Sequence, residues 1–134
     1  MNIYSSDDFW SIHKLSDVYR DNYSDVPIVK EVRDVELVAL DDFEYGGINI
    51  FLKIDTQGND AEVLLGASST LKKTSVLHLE LPFLNIYSEG NSVAEIFKIT
   101  ENAGFFPARF YPNSITPWGA WVDGDVIFVR RKAS

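Results

Sequence analysis

The stretch FLKIDTQGNDAEVLLGA, residues 51–67, decides how the rest of the chain is read. An apolar run ends on Asp55, the triplet Thr56-Gln57-Gly58 follows, and a helical pattern begins at once. Extended back to residue 48, the run INIFLKID is short and rich in β-branched and aromatic side chains. That pattern predicts a strand over 48–55 covered on both faces. The helix predicted over 59–73 has Asn59 or Asp60 as its cap. Asp60 and Glu62 fall in its first turn and Lys72 and Lys73 in its last, the order a helix dipole favours. Gly66 falls inside this helix at a cost of about 1 kcal/mol relative to Ala, which predicts close packing against a neighbour.

Downstream, SVLHLEL (75–81) reads as a second buried strand stopped by Pro82. Residues 92–105 read as a helix: Ser92 is its cap, Glu95 completes a capping box, and Gly104 sits at the C′ position. Val93, Ile96, Phe97 and Thr100 line the inner face. FFPARFY and GDVIFVRRK are two final strands, with the loop PNSITPWGAWVD between them carrying two of the three Trp. Upstream, PIVKEVRDVELVAL (27–40) alternates apolar and charged residues with period two, the mark of a strand with one wet face. Asp41-Asp42 and Gly46-Gly47 punctuate the chain after it. Residues 1–27 are polar and aromatic. DDFWSIHKLSDVY holds a short helix capped at Asp7 or Asp8 that buries Trp10, Ile12 or Leu15.

Buried strands that alternate with helices indicate an α/β fold with a mainly parallel sheet. At 134 residues the chain is read as a single domain, 1–134. Within it, 1–47 is an N-terminal segment with an antiparallel strand and 48–134 is the α/β core.

Composition narrows the function classes. A net charge of −8 and a pI near 4.6 argue against a nucleic-acid partner. Cysteine is absent, so disulfide and thiolate chemistry are excluded. No apolar run approaches the ~20 residues of a membrane span, and the first ten residues lack the pattern of a secretory signal. The default location is the cytoplasm. Asn22-Tyr23-Ser24 fits the glycosylation acceptor pattern by chance.

In open α/β sheets ligands bind beyond the carboxyl ends of the strands, where Asp55 sits. A carboxylate there, beside a helix start, can hold a polar ligand, orient a nucleophile or accept a proton; it can equally hydrogen-bond backbone within the turn. Glu80 closes the next strand at the equivalent height, and neighbouring strands lie roughly 5 Å apart. Two carboxylates facing one crevice drive one pKa upward; the other reading of Glu80 is a partner for Lys53 or Arg109. Gln57, Asn59 and Asp60 add polar groups at the turn. Trp118 and Trp121 form either a lid over the site or a cap on the end of the core. His78 alternates in phase with Glu80, but two histidines in the chain do not make a metal site. No phosphate-cradling glycine loop and no Ser-His-Asp motif occurs.

At FLKIDTQGNDAEVLLGASSTLKK the sequence resembles the FkbM-type methyltransferases, which depend on S-adenosylmethionine. Lys53, Ile54, Asp55, Gly58, Glu62, Leu64, Gly66 and Ala67 carry the likeness. SSDDF, VELVALDDF, LHLEL and GDVIFVRR follow the family's order around it. The resemblance implies a partial Rossmann-like, class I methyltransferase sheet, mainly parallel with an antiparallel C-terminal strand and helices packed on it. It implies O-methyl transfer to a small-molecule or sugar acceptor, with Asp55 and Glu80 in catalytic roles. Thr56, Gln57, Asn59, Trp118 and Trp121 stand on the substrate side.

The family holds its cofactor with an earlier strand and a glycine-bearing loop, and residues 1–27 contain no glycine. The chain therefore resembles the C-terminal half of the catalytic domain, with no counterpart of the adenosine and methionine sites. Strand 50–55 would be internal in the whole fold and is left as an edge. A bare edge invites another strand, so either the 28–38 strand folds over it or a homodimer forms there. The other functional reading is a non-catalytic remnant that serves as a binding or assembly module.

Overall fold

The computed structural model of the chain describes residues 1–6 and 10–131. Three short strands near the N-terminus, β1 (Asn2–Tyr4), β2 (Trp10–Ser11) and β3 (Val29–Val32), make an antiparallel sheet in the order β2-β1-β3. Between β2 and β3 lies α1 (Asp17–Asn22). A second sheet holds the centre of the molecule. β4 (Ile50–Ile54) leads through α2 (Asp60–Leu65) and α3 (Ser68–Lys73) to β5 (Thr74–Pro82). Then α4 (Val93–Asn102) leads to a hairpin of β6 (Phe105–Ile115) and β7 (Trp121–Arg130).

The second sheet has the order β4-β5-β7-β6. β4 and β5 are parallel, while β7 runs antiparallel to both β5 and β6. Three strands therefore share one direction and the C-terminal strand opposes them, as expected for a mixed α/β sheet. Period two along β5 sends Leu77, Leu79 and Leu81 into the main core. There they meet Ile54, Val126 and Phe128 from the sheet and Ala61, Leu64, Leu71 and Ile96 from the helices. Val76, His78 and Glu80 point to the opposite, half-covered face. A second cluster of Tyr4, Leu15, Tyr19, Ile86, Tyr87 and Val122 fastens the N-terminal segment over one end of the sheet.

Several expectations change in three dimensions. The strand read over 27–40 shrinks to Val29–Val32, with all four residues exposed. It pairs with β1 and does not fold over β4. Its alternation has little to pair with, because β1 is three residues long. Among the described residues, β4 has one sheet neighbour, β5. Asp7 and Asp8 lie outside the described residues. The helix that follows is capped by Ser16, whose side chain accepts from the Tyr19 N–H at 3.4 Å. Trp10 stands on β2, 47% exposed, and Leu15 is the apolar side chain buried there.

The single helix expected over 59–73 is two. Gly66 ends α2 and does not lie inside a longer helix: its N–H donates to Glu62 O at 2.9 Å and its carbonyl accepts from Asp41 N–H at 3.0 Å. The Asp41 carboxylate then receives the N–H groups of Ser69 (2.7 Å) and Thr70 (2.9 Å), opening α3 from a distant part of the chain. Hydrogen bonds, that from Ser69 N–H the strongest, hold the Asp41 carboxyl well below the usual carboxylate range. The close packing expected at Gly66 is present: a Cβ there would lie 3.3 Å from Ala39 Cβ. Residues 112–123 are largely strand, so Trp121 belongs to β7.

Helix α4 has its cap and its terminal glycine where the sequence puts them, with Ser92 accepting from Glu95 N–H at 3.2 Å and Gly104 at φ 83°; of the expected capping box only this Ser92 half forms. Its C-terminal carbonyls converge with those of α3 on Arg130. The guanidinium donates to Thr74 O (3.0 Å), Ala103 O (3.0 Å) and Leu71 O, and lies 4.4 Å over the Phe105 ring. No described helix is long and apolar enough to cross a membrane. Replacing Arg130 by Leu removes the guanidinium donor from all three carbonyls, while Leu71 O keeps the Thr74 N–H. Arg130→Leu is expected to cost about 1.5–3 kcal/mol, measured as a lower urea midpoint at unchanged m.

Candidate functional site

The turn after β4 is built by two residues with positive φ, Gln57 at 54° and Gly58 at 102°. Glycine is required at 58: besides its φ, an added Cβ would lie 3.0 Å from the Tyr87 ring. Gln57 has no such freedom, and its left-handed backbone is uncommon for its type. Four hydrogen bonds hold it there. Ser11 Oγ donates to its carbonyl at 2.7 Å. Its Nε2 donates to Asp55 Oδ1 at 3.0 Å and to Glu80 Oε2 at 3.3 Å, and its Oε1 accepts from the Tyr87 hydroxyl.

Asp55 and Glu80 are thus brought to one place, bridged by one amide. Lys53 Nζ stands 3.3 Å from the other Asp55 oxygen. The other Glu80 oxygen accepts from Asn113 Nδ2 at 3.1 Å. Neither Lys53 nor Arg109 is the partner of Glu80: Lys53 pairs with Asp55, and Arg109 turns back to Ala108 O at 2.8 Å. The two carboxyls have different electrostatics. Burial pushes Glu80 up to about 7, helped by the Asp55 charge beside it. Burial also acts upward on Asp55, but hydrogen bonds from Glu80, Gln57 and Lys53 outweigh it and hold that carboxyl below its ordinary value. One group stays charged while the other carries a proton near neutrality, the division of roles that acid–base chemistry uses.

Beside the pair opens a pocket of about 200 Å³. Tyr19 and Tyr23, stacked at 4.6 Å, form one wall, with Gln57, Glu80, Ser114 and Asp123 as its polar lining. Asp123 Oδ1 is buried without a hydrogen-bond partner. The other turn residues serve the helix start. Thr56 N–H donates to Asp60 Oδ1 at 3.4 Å, and burial raises the Asp60 pKa against such bonds. Asn59 occupies the cap position of α2 without a side-chain bond; the Ala61 N–H is taken by Asn91 Oδ1 at 2.9 Å. The tryptophans do not line this pocket. Trp118, 68% exposed, donates to Asn22 Oδ1 at 3.1 Å, and Trp121 packs edge-on against Phe83.

Asn113, Tyr87, Tyr19, Tyr23 and Asp123 escaped the sequence reading. Asn113 lies where the β6–β7 register slips, between the pairs Pro112–Gly124 and Ser114–Asp123. Such bulges re-aim side chains. Pro112-Asn113 inside a hairpin was the available signal, and it reads as loop until the pairing is seen.

The pocket beside the Asp55–Glu80 pair does not fit S-adenosylmethionine. The pocket of about 200 Å³ is below the ~300–1,000 Å³ that ligands of that size occupy. The close approach that Gly58 permits is filled by the Tyr87 ring.

Residues 4–107 match the methyltransferase FkbM domain model. The closing strand, which also carried the resemblance, lies beyond that range. No curated protein matches. Among solved structures, the chain is similar to magnesium protoporphyrin IX methyltransferase from Synechocystis PCC 6803 with bound SAM. The two are 21% identical with a TM-score of 0.46, over 66% of this chain and 42% of that one. The chain thus spans less than half the length of the solved structure it matches.

The raised Glu80 pKa has a signed consequence. Between the ordinary value of 4.5 and about 7, the folded chain keeps a proton that the unfolded chain has released. Stability therefore falls as pH rises through that window. Glu80→Gln is expected to flatten this part of the profile, read from urea midpoints between pH 4 and 8.

Proposed function

The chain belongs to the FkbM methyltransferase family, and on that premise we propose that it supplies the acceptor side of an O-methyl-transfer site. The observation that carries the reading is the Asp55–Gln57–Glu80 group at the carboxyl ends of β4 and β5, with two carboxyls of divergent pKa bridged by one amide. A hydroxyl of a small molecule or sugar, seated in the pocket beside Tyr19 and Tyr23, passes its proton to Glu80. Asp55 remains charged and orients the acceptor. A base that titrates near neutrality suits this task, because it is half in its accepting form at working pH. Thr56, Gln57 and Asn59 shape the turn around the acceptor, and Trp118 holds the hairpin tip against α1.

The family's cofactor, S-adenosylmethionine, is assigned across the open edge of β4, to a site that the interface with a partner chain completes. The partner that closes this edge is a second copy of the chain. Phe51 and Ile48 support the assignment, being 60% and 81% exposed on and beside a strand with one neighbour. The narrow pocket and the Tyr87-filled turn favour a second reading, a non-catalytic module for binding or assembly.

Light scattering is expected to give twice the 15.2 kDa chain mass at high concentration, and Phe51→Lys is expected to return it to monomer. Calorimetric titration with S-adenosylhomocysteine should give heat with the dimer and none with Phe51→Lys. A monomer at every concentration removes the dimer. Absence of heat from a dimer selects the non-catalytic module.

A further inference from the structure

Tyr87 is one of the most buried side chains of the N-terminal cluster, 3% exposed. Three features hold it still. Its backbone bridges Leu15, its ring fills the space above Gly58, and Gly90 closes on its Cβ, where an added carbon would stand 3.2 Å away. Its hydroxyl is the polar end of this rigid unit and donates to Gln57 Oε1. Burial, then the nearby Glu80 charge, raises the phenol pKa, so it keeps its proton.

A glutamine amide has two nearly isosteric ends of opposite polarity. Turned over, this one would aim Oε1 at two carboxyl groups. The Tyr87 hydroxyl selects the other orientation by offering a proton to Oε1, which leaves both Nε2 hydrogens for Asp55 and Glu80. Hydrogen bonds in such a chain also strengthen one another.

We propose that Tyr87 is a positioning residue that fixes the direction of the Gln57 amide and thereby sets how the Asp55–Glu80 pair shares its proton. The inference deepens the acceptor-side reading. Other groups around Glu80 act on the pair directly. Asp55, with Lys53 on its far oxygen, faces it from the end of β4. Asp123 faces it from β7, while the neighbouring Asp125 is engaged by His78 at 2.5 Å. Tyr19 and Tyr23 stand across the pocket on α1. Asp55 and Glu80 meet the amide at its nitrogen and Tyr87 meets it at its oxygen, so removing the Tyr87 hydroxyl tests the oxygen end alone.

The test is a carboxyl-carbon NMR titration of the free chain, with no cofactor or acceptor added, so its outcome is independent of methyl transfer. In Tyr87→Phe the amide loses the bond that orients it, and the Glu80 midpoint is expected to rise by about half a pH unit or more. In a Gln57→Leu background the same substitution is expected to add no further shift, since coupling runs through the amide. An unchanged midpoint in Tyr87→Phe, even with a lowered melting temperature, overturns the proposal, as does an equal shift in both backgrounds. Should Tyr87→Phe not fold, the wild-type chain decides. The Gln57 side-chain amide nitrogen is expected to titrate with the Glu80 midpoint, and one that ignores that titration overturns the proposal.

Discussion

Everything around the candidate site depends on one amide in a left-handed turn. Gln57 joins four parts of the chain: Ser11 of β2 through its carbonyl, Asp55 just after β4 and Glu80 of β5 through Nε2, and Tyr87 through Oε1. A φ of 54° is unfavourable for glutamine by itself. It persists because the surrounding hydrogen bonds over-determine it. Relaxing this turn would remove one tie between the N-terminal segment and the sheet end and take from two adjacent carboxyls the amide that bridges them. The local conformational cost is thus offset by bringing together groups that otherwise would not meet.

The sheet places that turn where it can act. β4 and β5 are parallel, so their carboxyl ends fall together, and Asp55 and Glu80 arrive side by side without any contact of their own being needed to align the strands. β7, inserted antiparallel between β5 and β6, brings Asp123 to the same end, and the slip in its pairing with β6 delivers Asn113 to the second Glu80 oxygen. The remaining edge of β4 is the complement of this arrangement. A parallel pair is ordinarily covered on both faces and flanked on both sides. Here one face rests on α2, α3 and α4, and the far side of β4 is open among the described residues.

How much of this was legible in the sequence depends on whether a signal was local. The apolar run ending at Asp55, the strand SVLHLEL and the cap-to-glycine frame of α4 are local signals and each forms an element of the type read, although the cover expected on both faces of the first is missing at Phe51, which is 60% exposed. By its local sequence Gly66 is a costly residue inside one helix, yet it ends a helix, because Asp41 supplies the hydrogen bonds that start the next from 28 residues away. Asn91 caps α2 from 30 residues away in the same manner. A propensity argument is blind to such donors and acceptors, since it counts neighbours along the chain only.

The sequence by itself determined the α/β class, the strand that delivers Asp55, its parallel neighbour ending in Glu80, and membership of a family through the KID-turn-helix pattern. The class and the two strands follow from periodicity and turn chemistry, which act over a few residues; the family follows from likeness to a known pattern. Tertiary structure alone decided which side chains surround the pair. Tyr87 and Asn113 reach it through a loop and a bulge, and Trp118 and Trp121 turn instead to Asn22 and Phe83. It also raised Glu80 while lowering Asp55, because desolvation and shared hydrogen bonds depend on what is near in space.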